Sequence, residues 1–195
     1  MRKKAVPVGI EDFKELIQDE YYYADKTLLI DEMLMNKSKV TLFTRPRRFG
    51  KTLNMSMLKY FFDVKDKEEN KRLFENLKVS DSEYMVEQGK YPVIFISLKD
   101  LKGNTWEENF MLIKKHIKNL YMEFYGLKDK LNPIFKNDFE KVVMEKEDAD
   151  WIYSLKNLSN YLYEYYRKSV IILIDEYDAP IINAFDKGYY NEAIN

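Results

Sequence analysis

Short apolar runs alternating with amphipathic stretches predict an α/β fold, a parallel sheet with helices on both faces. Three observations carry that expectation. The runs at 39–44, 93–98 and 170–174 have strand length and are rich in Val, Ile, Leu and Phe. Between them, apolar residues recur at helical spacing, which imposes crossover connections. The first and last runs also stop abruptly in charged chemistry: Arg-Pro-Arg-Arg-Phe-Gly-Lys-Thr follows one, and Asp-Glu-Tyr-Asp the other.

The elements follow in order. Residues 11–18 form a short helix with Phe13, Leu16 and Ile17 on one side. Tyr21, Tyr22 and Tyr23 then lead through Asp25-Lys26-Thr27 to a second helix at 26–36, which buries Leu29, Ile30, Met33 and Leu34. The run 39–44 is a strand, 45–50 a loop, and 51–62 a helix in which Leu53, Met57, Tyr60 and Phe61 share a face. The charged segment 63–90 holds a short helix around 67–76, and 93–98 is a compact strand after Pro92.

Residues 105–125 give the clearest helical signal: Trp106, Phe110, Ile113, Ile117, Leu120 and Phe124 are spaced by fours and threes. Further helices are expected at 134–147 and 151–167, the latter with Ile152, Leu155, Leu158, Leu162 and Tyr165 inward. Five consecutive apolar residues at 170–174 fit a strand buried on both faces, and a last helix is expected at 189–195. No repeat or linker divides the chain. It reads as one domain, with an N-terminal helical segment at 1–38 and a core at 39–195 that carries a helical insertion at 105–167.

Composition excludes several classes. The 195 residues carry 32 basic and 33 acidic side chains, so overall charge favours no partner. No cysteine is present, which removes disulfides and thiolate metal sites and points to a reducing compartment. The one histidine, His116, makes imidazole-centred catalysis or a His-rich zinc site a poor fit. No apolar run reaches bilayer-spanning length and the N-terminus lacks a signal-peptide core. The expectation is a soluble cytoplasmic protein with no membrane partner.

Strand, loop and helix occur around residue 50 in the order of a phosphate-binding loop. In such a loop, backbone N–H groups at a helix N-terminus surround phosphates, a lysine covers them, and a hydroxyl binds magnesium. Gly50, Lys51 and Thr52 occupy the last three places. Arg45 stands where the usual first glycine would be, so the front of the loop must be shaped differently. Gly-Lys-Thr alone also suits a basic turn before a helix; the flanking elements and the downstream acidic motif favour the phosphate reading. Arg45, Arg47 and Arg48 could grip nucleotide phosphate, nucleic-acid phosphate, or nearby carboxylates. The nucleotide-binding set is therefore Arg45, Pro46, Arg47, Arg48, Phe49, Gly50, Lys51, Thr52 and Leu53.

At the other end, Asp175 follows a buried strand at the carboxyl edge of the sheet, where open α/β sheets bind ligands. It can hold Mg²⁺ together with Thr52, while Glu176 orients or deprotonates water for γ-phosphate cleavage. Glu176 and Lys51 are thus the catalytic candidates, Thr52 and Asp175 the metal candidates, and ATP with Mg²⁺ the ligands. The whole reading requires Lys51 and Asp175 to converge on one pocket. Asp178 suits either a supporting carboxylate or a turn before Pro180.

Four stretches resemble the bacterial predicted AAA-like ATPases that often carry a C-terminal PD-(D/E)XK nuclease-type domain. They are Gly9-Ile10-Glu11-Asp12-Phe13, Tyr22–Thr27, the run TRPRRFGKTLNMSMLKYFF at 44–62, and IDEYDAPI at 174–181. The resemblance implies a P-loop NTPase-like fold and ATP binding with Walker-type loop and acidic motifs. It also implies that an arginine at the position of Arg45 is normal, and that the Tyr23–Thr27 stretch lies near the nucleotide base. Such proteins continue into further core strands, a sensor residue, an arginine-bearing segment and the nuclease-like domain. The chain is accordingly expected to be the N-terminal, truncated part of such a domain, with an incomplete sheet. The gap would be filled by rearrangement or by a second copy, giving a homo-oligomer. Nucleic acid would be contacted through a domain outside this chain. The alternative is a nucleic-acid-binding module, or a catalytically inactive interaction module, that uses the Arg45–Lys51 loop.

Overall fold

The computed structural model describes residues 4–44 and 49–194, which fall into two compact units, Met1–Val93 and Ile94–Asn195.

The first unit is built on helices. Phe13–Gln18 forms α1, Leu29–Asn36 α2, Lys51–Phe62 α3 and Lys67–Arg72 α4, with 3-10 turns at Lys78–Asp81 and Glu83–Glu87. Helix α3 is the hub, with α1 and α4 packed on it. Its Met57, Leu58 and Phe61 are fully buried, as are Phe13 and Leu16 of α1. Phe74 stacks on Phe13 at 5.2 Å and meets Phe61 edge-on at 5.3 Å. Offset and edge-on pairs of this kind add to the stabilisation from burial.

The second unit contains the sheet. Val93–Ser97 is β1 and Ile171–Asp175 is β2, paired in a two-stranded parallel sheet. Between them run α5 (Trp106–Met122), a 3-10 turn at Tyr125–Lys130, α6 (Pro133–Val143) and α7 (Ser154–Tyr166); α8 (Ala179–Lys187) and α9 (Tyr190–Ile194) follow β2. The intervening helices and β1 share one core centred on Ile94, Ile117, Tyr121, Phe139, Leu158 and Leu162. Thr105 caps α5 by accepting the Glu108 N–H at 3.3 Å, and Asn132 caps α6 from Phe135 at 2.9 Å.

Four expectations are corrected. Residues 39–44 form no strand: Val40 is 86% exposed and Leu42 62%, and no ladder partner lies beside them among the described residues. An apolar run asks for burial, whereas a strand exists only through hydrogen bonds to a neighbour. Three strands were expected, and two form among the described residues. Strand β2 is covered on one face only, because Leu173 and Asp175 are buried while Ile172 and Ile174 are about two-fifths exposed. In α7, Leu158 and Leu162 face the core as expected, but Ile152 and Tyr165 are exposed; Ile152 lies ahead of the helix start at Ser154. The sequence reading also passed over α8, where Pro180 sits in the first turn, a position that needs no N–H donor.

Candidate functional site

The start of α3 is set by Gly50. Its φ of 73° lies in the left-handed region, which a residue with a Cβ enters only with strain. No atom of the described residues lies within 4 Å of an added Cβ, and the backbone torsion by itself favours glycine here. The Gly50 carbonyl accepts the Asn54 N–H at 2.9 Å, and the Gly50 position itself brings no side-chain cap. The first N–H groups of any helix lack intrahelical acceptors, and the helix dipole adds positive potential there. Lys51, Thr52 and Leu53, half-buried, occupy that first turn. Arg45, Pro46, Arg47 and Arg48 lie outside the described residues.

Two N-terminal motifs fasten onto α3. The Phe13 N–H donates to the Ser56 hydroxyl at 2.8 Å, and that hydroxyl donates back to the Leu53 carbonyl at 3.0 Å. Asp12 accepts from the Tyr60 hydroxyl at 2.8 Å while capping α1 from the Glu15 N–H at 3.0 Å. Burial, and the Asp12 carboxylate beside it, push the Tyr60 phenol well above its ordinary range. The Tyr23 hydroxyl donates to the Met57 sulfur at 3.4 Å and accepts the Lys26 N–H at 3.2 Å. Burial drives its pKa up to about 12, against the lowering effect of the Lys26 N–H.

This fastening leaves a cavity of about 220 Å³ beside Gly50. Pro7, Leu16, Tyr22, Tyr23, Phe49 and Leu53 supply apolar walls, and Ala24, Lys26 and Asn54 complete it. Tyr22 and Phe49 are 60% and 62% exposed, so both rings remain available to a ligand. The cavity is smaller than the roughly 300–1,000 Å³ of sites that enclose a whole drug-sized ligand, so it suits one moiety of a larger molecule.

The Tyr23–Thr27 stretch therefore has two uses. Tyr23, Ala24 and Lys26 face the cavity, while Asp25 and Thr27 form an internal clamp. One Asp25 oxygen accepts from the Thr27 N–H at 2.9 Å and hydroxyl at 2.7 Å; the other accepts the Lys78 N–H at 2.8 Å. The fully buried Thr27 accepts the Val79 N–H at 3.1 Å. Burial alone would raise the Asp25 pKa, but these donors overcome it and hold the carboxyl below its ordinary value. Pro7, Leu16 and Asn54 went unrecognised as cavity residues; a polar Asn on the inward face of α3 was the one available signal.

The acidic pair belongs to the second unit. Asp175 ends β2 with only 5% exposure, and its carbonyl accepts the Leu98 N–H at 3.0 Å. Glu176 then turns the chain at φ 51°, its N–H donating to the Asp175 carboxylate at 3.1 Å. The same left-handed torsion occurs at Lys37 and Arg167, where helices end, so at Glu176 it marks the turn out of β2. Behind the turn, Asn183 of α8 donates to the Gly103 carbonyl at 2.7 Å, and the Tyr189 hydroxyl reaches the same oxygen at 3.1 Å. Gly103 is required there, because a Cβ would lie 2.4 Å from the Asn109 nitrogen.

Among the described residues, no group of three or more His, Asp or Glu side chains is placed to hold a metal ion. No helix among the described residues is long and apolar enough to cross a membrane.

A glycine-initiated Lys-Thr helix and an Asp-Glu pair closing a parallel strand, in a mixed α/β chain, define a candidate nucleotide-binding protein. The chain belongs to the family described as Predicted AAA-ATPase, which it matches over residues 7–195. It is also 37% identical over 82 residues to an uncharacterized protein in the vnfD 5' region of Azotobacter chroococcum mcd 1; the match covers 42% of this chain and 15% of that protein. No solved structure matches the chain.

Proposed function

We propose that this chain is the ATP-binding part of an ATPase, with phosphates at the N-terminus of α3 and the base in the adjoining cavity. Family membership supports ATP as the nucleotide. The observation that carries the reading is the aromatic cavity opening beside Gly50, one residue from Lys51. In this reading Lys51 and the backbone N–H groups of the first turn neutralise phosphate, with Arg45, Pro46, Arg47, Arg48, Phe49 and Leu53 completing the loop. Tyr22 and Phe49 stack on the base.

Thr52 and Asp175 take the magnesium roles, and Glu176 orients water for γ-phosphate cleavage in the complete ATPase. The acidic roles rest on the sequence motif. Magnesium, when bound, neutralises charge developing on the phosphates. Isothermal titration of Mg–ATP into the wild type and Lys51→Ala tests the reading. Saturable heat from the wild type and little from the variant is expected; equal heats from both would refute it.

A further inference from the structure

The cavity beside Gly50 has mostly apolar walls, and α3 sets one carboxamide into it. The side chains of Pro7, Leu16, Phe49 and Leu53 bring only carbon. The Tyr23 hydroxyl is already engaged, donating to the Met57 sulfur at 3.4 Å and accepting the Lys26 N–H at 3.2 Å. Lys26 offers donors and no acceptor. Asn54 alone among the lining side chains carries a donor and an acceptor side by side.

Its place in the helix is informative. The Asn54 N–H donates to the Gly50 carbonyl at 2.9 Å, so its side chain stands one helical turn beyond the glycine that starts α3. Asn54 is only 8% exposed, in the interior of a helix that is otherwise packed with apolar side chains on its inward face. Asparagine is a poor choice there: its amide competes with the backbone for hydrogen bonds, and removing it from water is costly unless it is bonded. The hydrogen bonds of Asn54 among the described residues run through its backbone, so the amide meets the cavity with both groups to offer.

We propose that Asn54 selects adenine, by pairing its carboxamide with the N6 amino group and N7 of the base. This rests on the cavity holding the base of a nucleotide whose phosphates lie at the start of α3. Stacking on Tyr22 and Phe49 cannot choose between purines, because every base has a π-face. The carboxamide can. On the N7 edge adenine presents a donor beside an acceptor, which a carboxamide matches in two hydrogen bonds. Guanine presents two acceptors on that edge, O6 and N7, so the amide oxygen would meet an oxygen with no proton between them. Position favours this edge: in an anti purine nucleotide the N7 side lies toward the phosphates and the Watson–Crick edge points away from them. Asn54 is one turn from the proposed phosphate site, on the near side.

The test is titration of the full chain with the magnesium complexes of ATP, GTP and 7-deaza-ATP, by calorimetry and thermal melting, in the wild type and Asn54→Leu. The wild type should bind ATP about tenfold or more tightly than GTP, the worth of a bidentate base contact. It should bind 7-deaza-ATP, which keeps the amino group and lacks N7, about threefold or more weakly than ATP. Asn54→Leu keeps the side-chain volume and deletes the amide. It should bind ATP about tenfold more weakly, bind GTP no worse than the wild type does, and lose the difference between ATP and 7-deaza-ATP. The 7-deaza-ATP comparison needs no variant, so it holds even where Asn54→Leu fails to fold. Equal wild-type affinity for all three nucleotides would overturn the role of Asn54 and leave the phosphate site standing. A preference for ATP that survives in folded Asn54→Leu would overturn it too. Absence of binding by any of the three would refute the nucleotide site itself, and this role with it.

Discussion

The backbone N–H of Phe13 donates to the hydroxyl of Ser56 across 2.8 Å, joining the motif at 9–13 to the helix that begins with Lys51. The bond is buried, so its value lies mostly in what its absence would cost. Ser56→Ala strands a buried N–H and should destabilise the chain by about 1–3 kcal/mol. Urea unfolding followed by circular dichroism checks this, with Ser56→Thr, which keeps the hydroxyl, as the conservative control.

Gly50 holds a left-handed torsion, and no atom of the described residues crowds the place of a Cβ. Gly50→Ala therefore tests the torsional strain, and should cost about 1–2 kcal/mol of stability. If the helix start also cradles phosphate, ATP affinity should fall in the same variant. Denaturation and titration on one preparation separate the two effects.

Asp25 and Asp63 should respond to acid in opposite directions. Asp25 is held below its ordinary pKa, so its stabilising contribution is present above the unfolded value near about 3.9 and fades as pH falls through the lower folded value. Asp63 is raised, chiefly by burial with only partial relief from the Lys65 N–H, so its folded form favours the proton. It costs stability once pH rises above the unfolded value. Asp25→Asn should therefore lower Tm at pH 7 and flatten its fall below about pH 4. Asp63→Asn should leave Tm at pH 7 unchanged or higher. Thermal melts between acid and neutral pH read both signs.

The exposed rings at the cavity carry little of the fold. Tyr22→Ala and Phe49→Ala should leave Tm close to wild type and weaken ATP binding, each by about 1–3 kcal/mol if its ring stacks on the base. Affinity measured beside Tm distinguishes a lost contact from a damaged fold.

Much of the helical framework was legible, because an amphipathic stripe records which face needs burial. Helix α3 begins and ends where Leu53, Met57, Tyr60 and Phe61 set it, and α5 follows its stripe closely. Pairing was not legible in the same way. Residues 39–44 and 170–174 look alike as apolar runs, yet among the described residues only the second has a hydrogen-bonded neighbouring strand. Helix α8 was hidden by Asp178-Ala179-Pro180, a turn signal that also opens helices. Lys51 and Asp175 announce themselves by motif. The cavity does not, since its walls come from Pro7, Leu16, Tyr22–Lys26 and Phe49–Asn54, stretches that only folding brings together.

The most direct test of the central claim is photolabelling with 8-azido-ATP in the presence of magnesium, with labelled peptides mapped by mass spectrometry. Label at Tyr22–Lys26 or Phe49–Asn54, displaced by excess ATP and lost in Lys51→Ala, is the predicted result. Label confined to residues 94–194, or label on the cavity that ATP fails to displace, would contradict it.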